Sequence, residues 1–177
     1  MKRPITHLTM VGLAILLGLC SSCKRKDYEN KQDIYQITFD PPSEWMNMDK
    51  VKEMEGAFSG RNVCFLDTNQ EYSVTFQKDL SAFAAGPPKN IKVKAMVKCP
   101  DIPKSFGLVV SIEKPDTIIE YQIMDVLPLI TENNKWIEIN TNYPIKNADP
   151  KAWIKCYFWN TGKGKIMIDD FSVEGLQ

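Results

Sequence analysis

The chain of 177 residues contains a single histidine, His7, which lies in an N-terminal segment that we expect to be removed. A mature chain without histidine cannot use Ser-His-Asp or Cys-His catalysis, histidine metal sites or histidine acid–base chemistry. Paired carboxylates remain, and glycoside hydrolysis by such a pair needs two acids about 5–10 Å apart. The spacing of the acidic residues singles out no such pair, so we expect a protein that is not an enzyme.

Tryptophans form a second set of candidate functional side chains. Sugar rings present apolar C–H faces and hydroxyl groups, so their binding sites combine exposed aromatic rings with polar side chains. Trp45 lies in a polar segment after Pro41 and Pro42, and Trp153 follows the turn 147–150. We expect these two to form a ligand platform. Trp136, Tyr143 and Asn142 are the next candidates. The alternative for all five is packing against the hydrophobic core.

Three cysteines outside the N-terminal segment, Cys64, Cys99 and Cys156, are 35 and 57 residues apart. A zinc site made of four cysteines needs closely spaced pairs, so this spacing excludes one. Cys64 and Cys156 stand among apolar, strand-like residues. We favour buried thiols, while one disulfide plus one free thiol stays open as the alternative.

The first 23 residues have the pattern of a secretory signal. Lys2 and Arg3 precede a run of twelve residues, 8–19, that is mainly apolar and shorter than the roughly 20 residues of a membrane-spanning helix. Ser21 and Ser22 then precede Cys23. This ending resembles the lipobox of bacterial lipoproteins, in which the signal is cut before a cysteine that becomes lipidated.

The resemblance implies that Cys23 carries the lipid, because Cys20 follows a leucine instead of a small residue. An ordinary cleaved signal and a soluble periplasmic protein is the alternative. Two or more acyl chains anchor a protein stably in a membrane. Lys24, rather than an aspartate, follows Cys23, which favours the outer membrane. We expect a signal peptide at 1–22, a lipidated tether at 23–33 and one domain at 34–177.

The charge of the mature chain disfavours nucleic acid as a partner. The full chain has 22 basic and 22 acidic residues. Loss of Lys2 and Arg3 leaves 22 − 2 = 20 basic residues and a net charge of −2. Arg25 and Arg61 are the only arginines that remain, and no basic stripe exists.

Residues 34–177 alternate between apolar and polar side chains, as β-strands do. The clearest example runs from Ile91 to Lys98, where lysines occupy the polar positions. Proline and glycine punctuate the strand-like runs, and only 44–55 has room for a helical turn. The pattern predicts an all-β, antiparallel sandwich of about eight to ten strands, with 142–151 as a crossing connection of a jelly roll.

The last strand-like run changes its parity. Ile166 and Ile168 are even-numbered, whereas Phe171 and Val173 are odd-numbered, and Asp169-Asp170 stand between them. A strand cannot change parity without an inserted residue, so we expect a bulge at the aspartate pair. The two carboxylates repel each other unless a cation or several hydrogen-bond donors meet them.

The closing run, Ile-Met-Ile-Asp-Asp-Phe-Ser-Val-Glu at 166–174, resembles the last strand of galactose-binding-like jelly rolls, the fold of many carbohydrate-binding modules. Segments 136–139 and 155–160 resemble the strands that precede it. The resemblance implies a structural Ca²⁺ held by Asp169 or Asp170 together with Asp40 or backbone carbonyls. A hydrogen-bonded turn without metal is the alternative.

These observations lead to an expected function of non-catalytic glycan binding by a lipid-anchored outer-membrane protein. The partners would then be the membrane, through the lipid, and a polysaccharide. A structural or accessory lipoprotein that binds a neighbouring envelope protein is the first alternative, and it would expose a large apolar patch. A carboxylate-dependent glycosidase is the second.

Overall fold

The computed structural model describes residues 33–39 and 45–177, and in them the chain forms two antiparallel β-sheets. This confirms the all-β sandwich predicted from the sequence. The described part of the chain contains three short 3-10 turns, at Met48–Lys50, Leu80–Ala82 and Leu127–Leu129. No helix in the described ranges has the length and apolarity needed to cross a membrane. The strands in chain order are β1 (Asp33–Ile37), β2 (Val51–Glu53), β3 (Asn62–Leu66), β4 (Phe76–Asp79), β5 (Asn90–Lys98), β6 (Gly107–Lys114), β7 (Thr117–Asp125), β8 (Trp136–Pro144), β9 (Trp153–Trp159) and β10 (Ile166–Leu176).

The larger sheet has the order β2-β3-β10-β5-β8, and β1 joins it on β10. The first part of β10 pairs with β3, where Ile166 is opposite Leu66. The second part pairs with β1, where Phe171 is opposite Ile37. One long strand therefore supports two short strands on the same edge.

The smaller sheet has the order β4-β9-β6-β7. The connection between β8 and β9 passes from the larger sheet to the smaller one. The crossing predicted at 142–151 is therefore present. In segment 44–55, where the sequence allowed a helical turn, the structure has one 3-10 turn and β2, a three-residue strand that the sequence pattern did not indicate.

The core lies between the two sheets and follows the two-residue period of the strands. On β5, Ile91, Val93 and Val97 are fully buried while the intervening lysines point outward. Phe158 contributes from the smaller sheet and contacts Phe171 with ring centroids 5.3 Å apart. Burying each large apolar side chain contributes roughly 1.5–3 kcal/mol, which makes this interior the main source of stability.

The bulge predicted at Asp169-Asp170 is present. The register between β10 and β5 shifts between Asp169 and Ser172, and Asp170 has a φ of 45° in the left-handed region. Aspartate tolerates this region better than most side chains because its short polar group can bond locally. The shift lies where β10 changes its partner from β3 to β1.

The cysteines Cys64, Cys99 and Cys156 are all buried and unpaired. This agrees with the interpretation of the three as small apolar core residues and not with a disulfide. Burial raises the pKa of Cys64 to about 12, against smaller opposing effects of the Val74 backbone N–H and Lys50. Burial also raises the pKa of the Cys99 thiol to about 11.

Candidate functional site

The outer surface of the smaller sheet, here called the aromatic face, is built around β9. Alternation sends Ile154, Cys156 and Phe158 into the core, so the other residues of the strand point outward. The outward-facing residues are all partly buried: Trp153, Lys155, Tyr157 and Trp159. A surface with three aromatic rings and one lysine on one strand can contact both apolar and polar parts of a ligand.

Tyr72 joins this surface through an isolated β-bridge to Trp159. The two rings stack with centroids 5.7 Å apart and planes 16° apart. Tyr72 also meets the edge of Tyr157, with centroids 5.9 Å apart. Tyr72 remains 42% exposed, so the stacked pair presents ring surface to solvent.

Tyr121 on β7 extends the aromatic face. Its side chain lies beside Tyr157 and is 46% exposed. Burial is the main cause that raises the pKa of Tyr157 above its ordinary value, and the neighbouring Tyr121 adds to it. The Tyr157 phenol therefore stays neutral at physiological pH and offers its hydroxyl group for hydrogen bonds.

Two depressions open on the aromatic face. The first, here called the Lys50 cleft, has a volume of about 250 Å³. Its lining consists of Met46, Asn47, Lys50, Tyr72, Thr75, Glu113, Lys155 and Tyr157. The second, the Thr161 cleft, has a volume of about 230 Å³. Its lining consists of Ser105, Phe106, Gly107, Ile123, Asp125, Trp159 and Thr161.

Gly107 on β6 shapes the Thr161 cleft. A Cβ atom there would lie 2.6 Å from Cγ2 of Ile123 and 3.2 Å from the carbonyl oxygen of Met124. Gly107 is opposite Trp159 in the β6–β9 pairing. A larger residue would therefore displace β7 or Ile123 beside the indole ring.

Glu113 on β6 organises the polar part of the Lys50 cleft. One oxygen accepts a hydrogen bond from Ser111 Oγ at 2.7 Å, and the other accepts from Lys155 Nζ at 2.6 Å and Trp153 Nε1 at 3.4 Å. Burial alone would raise the pKa of Glu113, but these hydrogen bonds outweigh it and lower that pKa. The carboxylate therefore stays ionised and holds Lys155 and Trp153 in place.

Of the predicted ligand residues, Trp153 is the one that lies on the aromatic face. Trp45 instead packs on the core, with ring centroids 5.3 Å from Phe76 and 4.9 Å from Phe171. This is the packing alternative considered for it. Tyr143 is also directed inward, where it is buried and its hydroxyl donates to Glu120 at 2.8 Å. This is again the packing alternative, because alternation along β8 turns Tyr143 toward the interior.

Trp136 and Asn142 lie on the outer surface of the larger sheet, opposite Lys98 and Lys92. Trp136 Nε1 donates to the carbonyl oxygen of Gly56 at 3.1 Å. Its ring also contacts Phe58, with centroids 5.9 Å apart. Trp136 thus fixes the loop between β2 and β3. The five predicted ligand residues do not form one site, and their ligand roles stay predictions.

The aspartate pair meets hydrogen-bond donors. Asp169 is buried, and Oδ2 accepts from the backbone N–H groups of Phe58 at 3.0 Å and Ser59 at 2.9 Å. Asp169 Oδ1 accepts from the N–H of Asp170 at 2.8 Å, and Asp170 Oδ1 accepts from Ser59 Oγ at 2.7 Å. Burial raises the pKa of Asp169, partly offset by these N–H groups.

Three of the four carboxylate oxygens of the pair accept hydrogen bonds, as in the hydrogen-bonded turn that was the alternative to a calcium site. Within 33–39 and 45–177, no group of three or more acidic, cysteine or histidine side chains could hold a metal ion. Asp40, the third predicted ligand, lies outside the described residues, as does Cys23. The calcium expectation and the lipidation of Cys23 stay predictions.

The sequence interpretation missed the centre of the aromatic face. Tyr157 and Trp159 were not among the predicted ligand residues. Lys155 lies on the same side of the strand as these two residues, and a lysine there indicates that this side faces solvent. Tyr72 gave no such signal, because its place beside Trp159 depends on a bridge between distant segments.

No protein-family model matches the chain, and no curated protein matches its sequence. Solved structures do share its fold. The CBM22-1 xylan-binding domain of Paenibacillus barcinonensis Xyn10C matches with a TM-score of 0.51 and 13% identity, over 82% of this chain and 96% of that domain. The tandem CBM22-1-CBM22-2 domain of the same protein matches with a TM-score of 0.54 and 13% identity, over 82% of this chain and 46% of the tandem.

A Clostridium thermocellum endo-1,4-beta-D-xylanase 10B structure, with CBM22-1 and GH10 modules and xylohexaose, matches with a TM-score of 0.49 and 14% identity. The match covers 81% of this chain and 26% of that longer chain. The two Paenibacillus matches show that the chain shares the jelly-roll fold of these carbohydrate-binding modules.

Proposed function

We propose that this protein binds a glycan, without catalysis, on the aromatic face of its smaller sheet. The observation that carries the proposal is the stacked Tyr72–Trp159 pair, which lies between two clefts that contain both apolar and polar side chains. Aromatic rings cover the apolar face of a sugar, while hydroxyl, amide and charged groups beside them bind its hydroxyl groups.

The structural neighbours support this proposal at the level of the fold. The Paenibacillus module is named as a xylan-binding domain, and it matches nearly its full length to this chain. Fold alone does not carry function, since this sandwich hosts many unrelated roles. The aromatic face of this chain supplies the independent argument.

A non-catalytic role agrees with the state of the carboxylates. Glu113 has a lowered pKa and three donors on its oxygens, so it is a poor general acid. Asp169 is buried beneath backbone N–H groups and does not reach the aromatic face. A glycosidase would need one raised and one ionised carboxylate across a cleft.

The proposal includes a lipid anchor at Cys23 and a place in the outer membrane. Its support is the signal-like segment 1–22 and the cysteine that follows two serines. We expect Cys23→Ala to move the protein from the membrane fraction to the soluble fraction. Unchanged membrane association of that variant would contradict the anchor.

The binding test uses the full-length protein, purified in mild detergent, against a panel of immobilised polysaccharides that includes xylan and galactan. We expect Tyr72→Ala and Trp159→Ala to lose about tenfold or more in affinity, because they remove the central stacking surface. Thermal unfolding checks that both variants are folded. Phe65→Ala is the matched control, since Phe65 is a partly buried aromatic residue on β3 of the larger sheet, contacts Lys52 and lines neither cleft. Absence of binding to every polysaccharide, or full binding by folded Trp159→Ala, would contradict the proposal.

A protein-partner role is the second candidate, and β7 is the observation that favours it. It is an edge strand of the smaller sheet, with Ile118 at 61% and Ile123 at 44% exposure. Edge strands with apolar side chains can pair with another chain. A co-purifying envelope protein that is lost in Ile118→Lys, together with no glycan binding, would favour this candidate.

A further inference from the structure

The Lys50 cleft carries more positive than negative charge. Its charged lining residues are Lys50, Lys155 and Glu113. The Thr161 cleft differs, because its one charged lining residue is Asp125, whose Oδ1 accepts from the N–H of Leu127 at 3.0 Å. The two ends of the aromatic face are therefore electrically different.

The negative charge of Glu113 does not repel an anion from the Lys50 cleft, because Lys155 neutralises it. Its carboxylate is 2.6 Å from Lys155 Nζ and also accepts from Ser111 and Trp153. The Glu113–Lys155 pair is neutral as a unit, with side chains only 18% and 27% exposed. An ammonium group has three donors, so Lys155 keeps donors for a ligand.

Lys50 supplies the uncompensated charge. Its Nζ lies 6.0 Å from the centroid of Tyr72, at the edge of the exposed stacking surface. Among the described residues, Lys50 takes part in no ion pair. A cation in this position adds attraction for an anionic group on a sugar that stacks on Tyr72.

The cleft has a size that suits one unit of a longer chain. Its volume of about 250 Å³ is below the roughly 300–1,000 Å³ of pockets for drug-sized ligands. Asn47 adds a neutral polar group, since its amide donates to Thr75 Oγ1 at 3.3 Å and leaves its carbonyl oxygen as an acceptor. Further units can continue along the face toward Trp159.

We infer that the ligand is an acidic polysaccharide, with a carboxylate or sulfate group of one sugar unit held between Lys50 and Lys155. This inference rests on the proposed glycan binding and names its substrate class. A lysine ammonium is a compact charge that accepts either anion, so the two groups share one chemistry here.

The test compares polygalacturonate, a sulfated carrageenan, xylan and galactan as ligands of the full-length protein at low and high salt. We expect an acidic polysaccharide to bind more tightly than the neutral ones, with affinity that falls as salt rises. Lys50→Gln should lower affinity for the acidic ligand about fivefold and lower affinity for a neutral ligand much less.

Lys135→Gln is the matched control, because Lys135 is exposed in the loop before β8, pairs with Glu132 and lines neither cleft, so it should leave binding unchanged. The double variant Glu113→Gln, Lys155→Gln removes the pair without leaving an unpaired charge, and it should also weaken binding of the acidic ligand. Preference for the carboxylate or the sulfate polysaccharide identifies the group that the cleft takes.

The failures of the two proposals are distinguishable. Equal affinity for acidic and neutral polysaccharides, unaffected by Lys50→Gln but lost in Tyr72→Ala, would overturn the acidic ligand and keep glycan binding. Binding of no polysaccharide by the folded protein would overturn both.

Discussion

Each tryptophan of the domain has a different role, decided by its contacts. Trp45 packs on Phe171 in the core, and Trp136 fixes a loop through Gly56. Trp153 donates to Glu113, while Trp159 stacks on Tyr72 and its Nε1 has no hydrogen-bond partner among the described residues. That nitrogen is buried, so Trp159 offers a ligand its ring surface and not its N–H group.

Glu113→Gln tests the network that holds Lys155 and Trp153. The folded-state pKa of Glu113 is lowered, so its ionised form stabilises the protein at neutral pH, and that stabilisation is lost as pH falls through the folded pKa. We expect Glu113→Gln to lower the free energy of unfolding by about 1–2 kcal/mol at pH 7. As pH falls below 4.5, the ordinary pKa of this carboxyl group, the variant should lose less stability than the wild type. Denaturant unfolding at several pH values from about 3 to about 7 measures the stability change and its pH dependence.

Glu53→Gln is the control for this experiment, because Glu53 lies 3.9 Å from Arg61 in an exposed ion pair. Such pairs contribute about 0–1 kcal/mol. Equal pH profiles of Glu113→Gln and the wild type would show that the Glu113 network adds nothing to folding.

Among the elements, β10 does the most to connect the larger sheet. It pairs with β5 on one edge and with both β3 and β1 on the other. Its bulge turns the Asp169 carboxylate toward the backbone N–H groups of the loop after β2. The bulge therefore fixes a loop as well as correcting the parity of the strand.

Asp169→Ala should destabilise the domain by about 2–4 kcal/mol, since it leaves three backbone N–H groups without their acceptor. Amide hydrogen exchange of Phe58 and Ser59 should accelerate more than that of β5. Hydrogen exchange followed by mass spectrometry or NMR measures the difference.

Asp170→Asn is the companion variant. Asparagine tolerates the left-handed conformation and can accept the hydrogen bond from Ser59 Oγ, so we expect a change within about 0.5 kcal/mol. If Asp169→Ala were as mild as Asp170→Asn, the carboxylate would not be what fixes the loop.

At the scale of the whole molecule, the two sheets have different outer surfaces. The larger sheet presents lysines such as Lys92 and Lys94, while the smaller sheet presents the aromatic face. Between them lies one continuous core that includes Cys64, Cys99 and Cys156. A reagent can therefore reach these thiols only when the core unfolds.

Alkylation of these three cysteines in the folded full-length protein should be slow and should accelerate only as denaturant unfolds the domain. Burial keeps them protonated as well as covered, with a pKa of about 12 for Cys64 and about 11 for Cys99. Mass spectrometry of the labelled peptides reports each cysteine separately from those of the N-terminal segment. Labelling of the unfolded protein should be complete without a reductant. Fast labelling of the folded protein at any one of them would contradict the buried position.

Several features followed from the sequence alone. Alternation along segments such as Ile91 to Lys98 determined the fold class, because a strand with one face in the core requires a two-residue period. The parity change at Asp169-Asp170 located the bulge for the same reason. The lack of histidine after His7 excluded several kinds of catalysis by composition, since those reactions need an imidazole wherever the fold would place it.

Tertiary structure alone decided which aromatic side chains share a surface. Tyr72 and Trp159 stand 87 residues apart in the chain and stack only because a β-bridge joins their segments. Trp45 is not part of the expected platform, because its ring packs on Phe76 and Phe171 in the core, and Tyr143 faces the interior because it lies on the buried side of β8. The two-residue period of a strand predicts which side of the sheet a residue faces. The pairing between strands that are distant in the sequence decides which residues lie beside it, and a binding site is formed by such neighbouring residues.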